Sequence, residues 1–129
     1  MINIVLNMPE LYALAAEEAL RKSGEFRCNP VSRCEPEKVL QTCQDCRADI
    51  VLMHVSLASG FTVNERKALL PLLRAQNNKM KLALIGEPKI SEHIERFLMV
   101  STQARLVDNF YYWSNEPDYL AQSLESLYP

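Results

Sequence analysis

The segment that most constrains this chain is Ala48-Asp49-Ile50-Val51-Leu52-Met53-His54-Val55, an almost unbroken apolar run only eight residues long. A run this short and this uniformly apolar reads as a strand covered on both faces, the situation of a parallel sheet between two layers of helix. Four further short runs repeat the requirement. Ile2 to Leu6 is rich in β-branched residues, Phe26 to Val31 is a weaker strand, Lys81 to Ile85 is stopped by Gly86 and Pro88, and Leu106 to Trp113 makes a fifth.

Amphipathic stretches separate these runs. From Glu10 to Lys22, Leu11, Leu14, Ala15 and Ala19 fall on one face, Pro9 suits the entry to a helix, and Gly24 can end it. Pro36 opens a short helix carrying Val39 and Leu40. A loop through Ser59-Gly60 leads to a third helix with Leu69, Leu70, Leu72 and Leu73, in which Pro71 marks either a kink or the true start. Ile90, Ile94, Phe97 and Leu98 form the stripe of a fourth helix. Pro117 opens the last, with Leu120, Leu124 and Leu127 facing inward.

Five strands alternating with five helices imply an α/β fold with a parallel sheet and right-handed crossovers. The doubly wound, flavodoxin-like arrangement with strand order 2-1-3-4-5 is the expectation, in one domain spanning residues 1–129. Ligands of such sheets bind beyond the carboxyl ends of the strands, and that edge gathers Leu6, Asn7, His54, Ile85 and Trp113.

Composition excludes several function classes. At 48% apolar and 23% charged residues the chain is neither disordered nor fibrous, and 129 residues can bury a core without staples. The net charge is −2 and the basic residues are scattered, so direct nucleic-acid binding is not expected. No apolar run approaches the ~20 residues that span a bilayer. Asn3 and Asn7 interrupt what would have to be a signal sequence, so the expected compartment is the cytoplasm. Cys28, Cys34, Cys43 and Cys46 are then expected as reduced thiols. Cys43-x-x-Cys46 falls near the end of the second helix, where a redox pair would not be placed. Its combination with Cys28 and Cys34 is not a usual zinc spacing.

Val5-Leu6-Asn7-Met8-Pro9 resembles the Val-Asp-Asp-x-Pro segment of response-regulator receiver domains, the CheY-like family. The run from Asp49 to Gly60 resembles the family's Asp, apolar run, Asp-x-x-Leu-Pro-x-Gly. Ala83 to Pro88 is similar to its Leu-Thr/Ser-Gly/Ala segment, and Phe110 to Trp113 with Pro117-Asp118-Tyr119-Leu120 to its strand-five Lys and Pro-Glu-x-Leu helix start. The four pieces occur in the family's order along nearly the whole chain.

The resemblance implies a phosphoacceptor pocket whose five key positions are all replaced. The paired metal-holding acids become Leu6 and Asn7, the phosphoacceptor Asp becomes His54, the hydroxyl residue Ile85, and the cation Trp113. Leu6 offers a metal nothing and Asn7 one neutral carbonyl, whereas Mg²⁺ favours carboxylate oxygens. Imidazole is a nucleophile, but metal and cation would be missing to stabilise the developing charge. The resemblance therefore implies a non-enzymatic pseudo-receiver in signal transduction or transcriptional control, with no catalytic residue, no metal and no cofactor.

Readings at individual positions remain open. His54 is either a neutral imidazole filling the old pocket or an alternative phosphoacceptor, pH sensor or ligand contact. Trp113 is either a plug or a stacking platform. Phe110 falls at the family's aromatic switch position, and alternation places it on one face with Tyr112. Ile94, Leu98 and Leu120 are expected in the core. That leaves Arg96, Arg105, Asp108 and Asp118 on the face of the fourth helix, fifth strand and fifth helix, through which receivers often dimerise. The expected partner is another protein or a second copy on that face. Ser56 to Gly60 and Gly86-Glu87-Pro88 most resemble receivers that precede a helix-turn-helix output domain, and a linker to one would begin near Tyr128-Pro129. The rival is a small-molecule sensor using the remodelled pocket around Asn7, His54 and Trp113, and a third reading is a thiol or metal protein.

Overall fold

A computed structural model describes residues 1–32, 35–116 and 118–128. Five strands, β1 (Ile2–Asn7), β2 (Phe26–Val31), β3 (Ile50–Val55), β4 (Lys81–Gly86) and β5 (Asn109–Tyr112), alternate with five helices. These are α1 (Glu10–Arg21), α2 (Pro36–Cys46), α3 (Val63–Gln76), α4 (Glu92–Gln103) and α5 (Tyr119–Leu127). All neighbouring strands pair in parallel, in the expected order β2-β1-β3-β4-β5.

The sheet divides the core in two because successive side chains of a strand point to opposite faces. Val5, Val51, Met53, Leu82 and Leu84 meet α2, α3 and α4 on one face, while Ile4, Leu6, Ile50, Leu52 and Ile85 meet α1 and α5 on the other. Every residue of β3 is buried, as its apolar run required. β2 is an edge strand, which is where Pro30 can be tolerated without losing a ladder bond.

Several sequence expectations are corrected. The buried stripe of α1 is Ala13, Ala16 and Leu20, whereas Leu11 is 81% and Leu14 58% exposed. The alanines let the helix lie close to the bulky β-branched and leucine side chains of the sheet, and the two leucines are rotated outward. Pro71 does not start α3: the helix begins at Val63 behind a capping box in which Thr62 and Glu65 exchange hydrogen bonds, and it runs through Pro71. β5 is shorter than the run from Leu106 to Trp113. The amides of Leu106 and Val107 are held by the Ser101 carbonyl in the turn that closes α4, after Arg105 at φ 60°, so the ladder begins only at Asn109. Likewise Ala48 belongs to the end of α2, its amide donating to the Cys43 carbonyl. Pro117 and Cys34 lie outside the described residues. The inward placement of Ile94, Leu98, Leu120 and Leu124 agrees with expectation.

Candidate functional site

The carboxyl ends of β1 and β3 place Asn7 and His54 next to one another in the sheet, both buried, at 1% and 2% exposure. Between them lies a residue that the sequence reading missed. Arg66, in the first turn of α3, is 2% exposed and sends its guanidinium to the strand ends. Its Nε donates to the His54 carbonyl at 2.9 Å, one terminal nitrogen donates to Asn7 Oδ1, and the other donates to the Asn7 carbonyl at 3.0 Å. Asn7 completes its amide by donating to the Val31 carbonyl at 2.9 Å. The planar fork of an arginine suits this task, since it presents several donors in fixed directions. Phe61 lies under it, its ring centre 5.2 Å from the guanidinium carbon.

His54 is enclosed by aromatic rings. Tyr12 of α1 approaches to 4.4 Å between centroids, Phe61 to 5.9 Å edge-on, and Trp113 to 6.3 Å. Trp113, immediately after β5, donates its indole N–H to His54 Nδ1 at 3.3 Å. Burial first, and the Arg66 charge second, pull the His54 pKa down to about 4. The imidazole is therefore neutral near pH 7. Because Nδ1 accepts, its proton resides on Nε2. Tyr12 in turn packs on Trp113 at 5.2 Å and donates to Glu87 at 3.3 Å.

The remaining expected positions are apolar packing. Leu6 and Ile85 are buried on the α1 and α5 side, Leu6 beside Leu52 and Ile85 between His54 and Tyr111 in register. Trp113 and Ile85 border a cavity of about 90 Å³, walled also by Ala15, Ala19 and Tyr119. Pockets for small molecules usually measure ~300–1,000 Å³, so this space does not favour the metabolite-sensor reading. Phe110 is half-buried and meets Tyr112 edge-on at 5.7 Å on the α4 side, while Tyr111 points to the other face, as the alternation predicted.

A divalent cation of the receiver type does not fit these residues. Both oxygens of Asn7 accept from a guanidinium, Leu6 has no donor, and a metal ion between them would face a fixed positive charge. Among the described residues no group of three or more His, Cys, Asp or Glu side chains is arranged to hold a metal. Cys28 stands level with Ile4 midway along β2, and Cys43 and Cys46 lie in the last turn of α2. Burial raises the thiol pKa of Cys28 to about 11 and of Cys43 to about 12, and also raises that of Cys46, which favours the unreactive protonated form.

A signal for Arg66 was present in the sequence. Val63, Arg66, Leu69 or Leu70, and Leu73 recur at helical spacing, so the arginine stands on the buried stripe of α3, where a cation needs partners.

No protein-family profile and no curated protein matches the chain. Solved structures match across its length. A LuxR-family DNA-binding response regulator from Staphylococcus aureus superposes with a TM-score of 0.74 at 12% identity, over 100% of both chains. The response regulator TrrA from Thermotoga maritima, solved with Mg²⁺ and BeF, gives 0.73 at 16% identity over 98% of this chain and 99% of its own. A CheY-like protein, TadZ, from Pseudomonas aeruginosa gives 0.73 at 13% identity over 98% and 93%. The architecture is thus the CheY-like, flavodoxin-like α/β fold of response-regulator receiver domains. No helix among the described residues is long and apolar enough to cross a membrane.

Proposed function

We propose that this chain is a non-enzymatic pseudo-receiver of a signalling or transcription-regulating protein, acting by contact with another protein and without phosphoryl transfer. The observation that carries the reading is the seating of Arg66 on Asn7 and the His54 carbonyl. A receiver switches when metal and phosphoryl group enter the strand ends together. Here a guanidinium stands at that edge, and the residue aligned with the phosphoacceptor is a buried neutral imidazole under three aromatic rings. The likeness to response regulators supports a role in signalling and transcriptional control and a cytoplasmic setting. The face of α4, β5 and α5 carries exposed Arg96, Arg105, Asp108 and Asp118, a mixed-charge surface compatible with a protein partner or a second copy.

The test follows Trp113 fluorescence and the thermal midpoint while Mg²⁺ and then beryllium fluoride are added. A parallel sample is incubated with acetyl phosphate and weighed by mass spectrometry. No response and no added phosphate are expected. A saturable response, or stable phosphate on the chain, overturns the reading.

A further inference from the structure

Two surface features are left unused by the strand-end site, and they complement one another. The first is a groove of about 700 Å³ between α3 and α4. Its walls are apolar: Leu70 and Phe97 form buried parts, and Val100 and Leu106 stand 51% and 48% exposed. Lys67, Arg74, Arg96 and Arg105 rim it, with His93, and none of its lining residues is acidic. Arg74 is paired with Asp108 at 3.0 Å; among the described residues Lys67, Arg96 and Arg105 form no ion pair. In a chain whose net charge is −2, this is a concentrated basic patch around an apolar slot.

The second feature is the outer face of α1. Leu11 and Leu14, one turn apart, are 81% and 58% exposed, and Ala15 and Glu18 continue the same stripe. Glu10 is exposed beside them and Glu17 is half-exposed, while Glu18 is ion-paired with Arg21 of the same helix. An acidic helix with leucine anchors at i and i+3 is what an apolar groove with a basic rim recognises.

We infer that the occupant of the α3–α4 groove is α1 of a second copy of this chain. One contact then covers both exposed apolar surfaces and pairs their charges. Its symmetry follows from the fold. α1 packs on one face of the sheet and α3 and α4 on the other, so each copy that offers α1 leaves its own groove open on the opposite side. The contact is heterologous, and copies add head to tail instead of closing as a two-fold pair. The groove shares Arg96 and Arg105 with the mixed-charge face of α4, β5 and α5, whereas α1 lies outside that face, and the inference does not depend on the absence of phosphoryl transfer.

Sedimentation of the full chain over a concentration series at low salt tests it. The weight-average mass is expected to rise above 14.8 kDa without a plateau at twice that value, and added salt should reverse the rise. Leu11→Lys with Leu14→Lys removes one half of the contact, and Val100→Glu with Leu106→Glu the other. Each pair lies at exposed positions and should weaken association about tenfold or more. Mixing the two variants leaves one intact α1 and one intact groove, so a 1:1 dimer that grows no further is expected. Arg96→Glu provides a second groove variant should the first fail to fold. A parent that stays monomeric, an assembly that either variant leaves intact, or a closed dimer insensitive to the α1 changes overturns the inference.

Discussion

Arg66 and Asn7 are joined twice, once through the asparagine's side-chain oxygen and once through its backbone carbonyl, so that α3 is tied to the end of β1 across the sheet edge. Such a double attachment between a helix and a strand 59 positions apart in sequence fixes the N-terminus of α3 against the strand ends. Removing the guanidinium leaves buried carbonyls unsatisfied. Arg66→Ala should therefore lower stability by about 3 kcal/mol or more in urea unfolding. Arg66→Met restores the volume without the donors and should recover only part of that loss. A methionine variant as stable as the parent would show that the hydrogen bonds contribute nothing net.

His54 makes stability depend on pH in a defined window. Its folded pKa, about 4, lies below the ordinary value of 6.5, so between these values the unfolded chain binds a proton that the folded chain does not. Stability from this group is complete above pH 6.5 and falls as the pH drops towards 4, by up to about 1.4 kcal/mol per pH unit. His54→Phe should flatten this part of the unfolding-versus-pH curve. An unchanged slope in that variant would assign the acid sensitivity to other groups.

Trp113→Phe separates the plug from the hydrogen bond. Phenylalanine keeps most of the ring packing against Tyr12 but has no N–H for His54 Nδ1. A cost of about 1 kcal/mol in unfolding free energy is expected. A variant losing none would mean that the indole acts only by filling space.

Thiol labelling in the folded protein, located by peptide mapping, should spare Cys43. Its pKa of about 12 leaves about a thousandfold less thiolate than a free cysteine near pH 8, and its side chain is buried in the core. Cys28 should react slowly for the same reason, and both should label freely in urea. Rapid modification of Cys43 in the native state would revive the thiol-chemistry reading.

Thr62 and Glu65 act as one unit ahead of Arg66. Glu65 accepts from the Gly60 amide at 2.7 Å and the Thr62 hydroxyl at 2.8 Å, while Thr62 caps the Glu65 amide. Thr62→Ala and Glu65→Ala should each cost about 1 kcal/mol, and the double variant less than their sum. Strict additivity in a denaturation cycle would argue that the two residues stabilise α3 separately.

The sheet was legible because the information it needs is local. The buried run of β3 and the spaced apolar segments around it require two-sided cover, whatever the details of the loops. Position of the strand-end residues followed from strand order alone. The outward turn of Leu11 and Leu14 was not legible, because two helical faces of α1 carry apolar residues and only the shape of the sheet chooses between them. Alanine wins the inner face since it allows close approach, a packing effect that hydrophobicity does not rank. Arg66 was overlooked for the opposite reason. Its neighbours in sequence, Asn64, Glu65 and Lys67, read as an ordinary polar surface, and the partners that justify its burial come from β1 and β3. The short β5 reflects competition by the Ser101 carbonyl, which no local pattern announces.

A dissociable ion at the end of a sheet comes and goes with its concentration, and a receiver built on one can be set and reset. The positive charge between β1 and β3 here is carried by a side chain, and a side chain cannot be diluted away, chelated or competed off while the protein stays folded. Whatever posture it imposes on the start of α3 is present from the moment folding finishes. Under the proposed function, the information such a domain passes on would lie in how many copies exist and where they gather, since no chemical input at this edge remains to be counted.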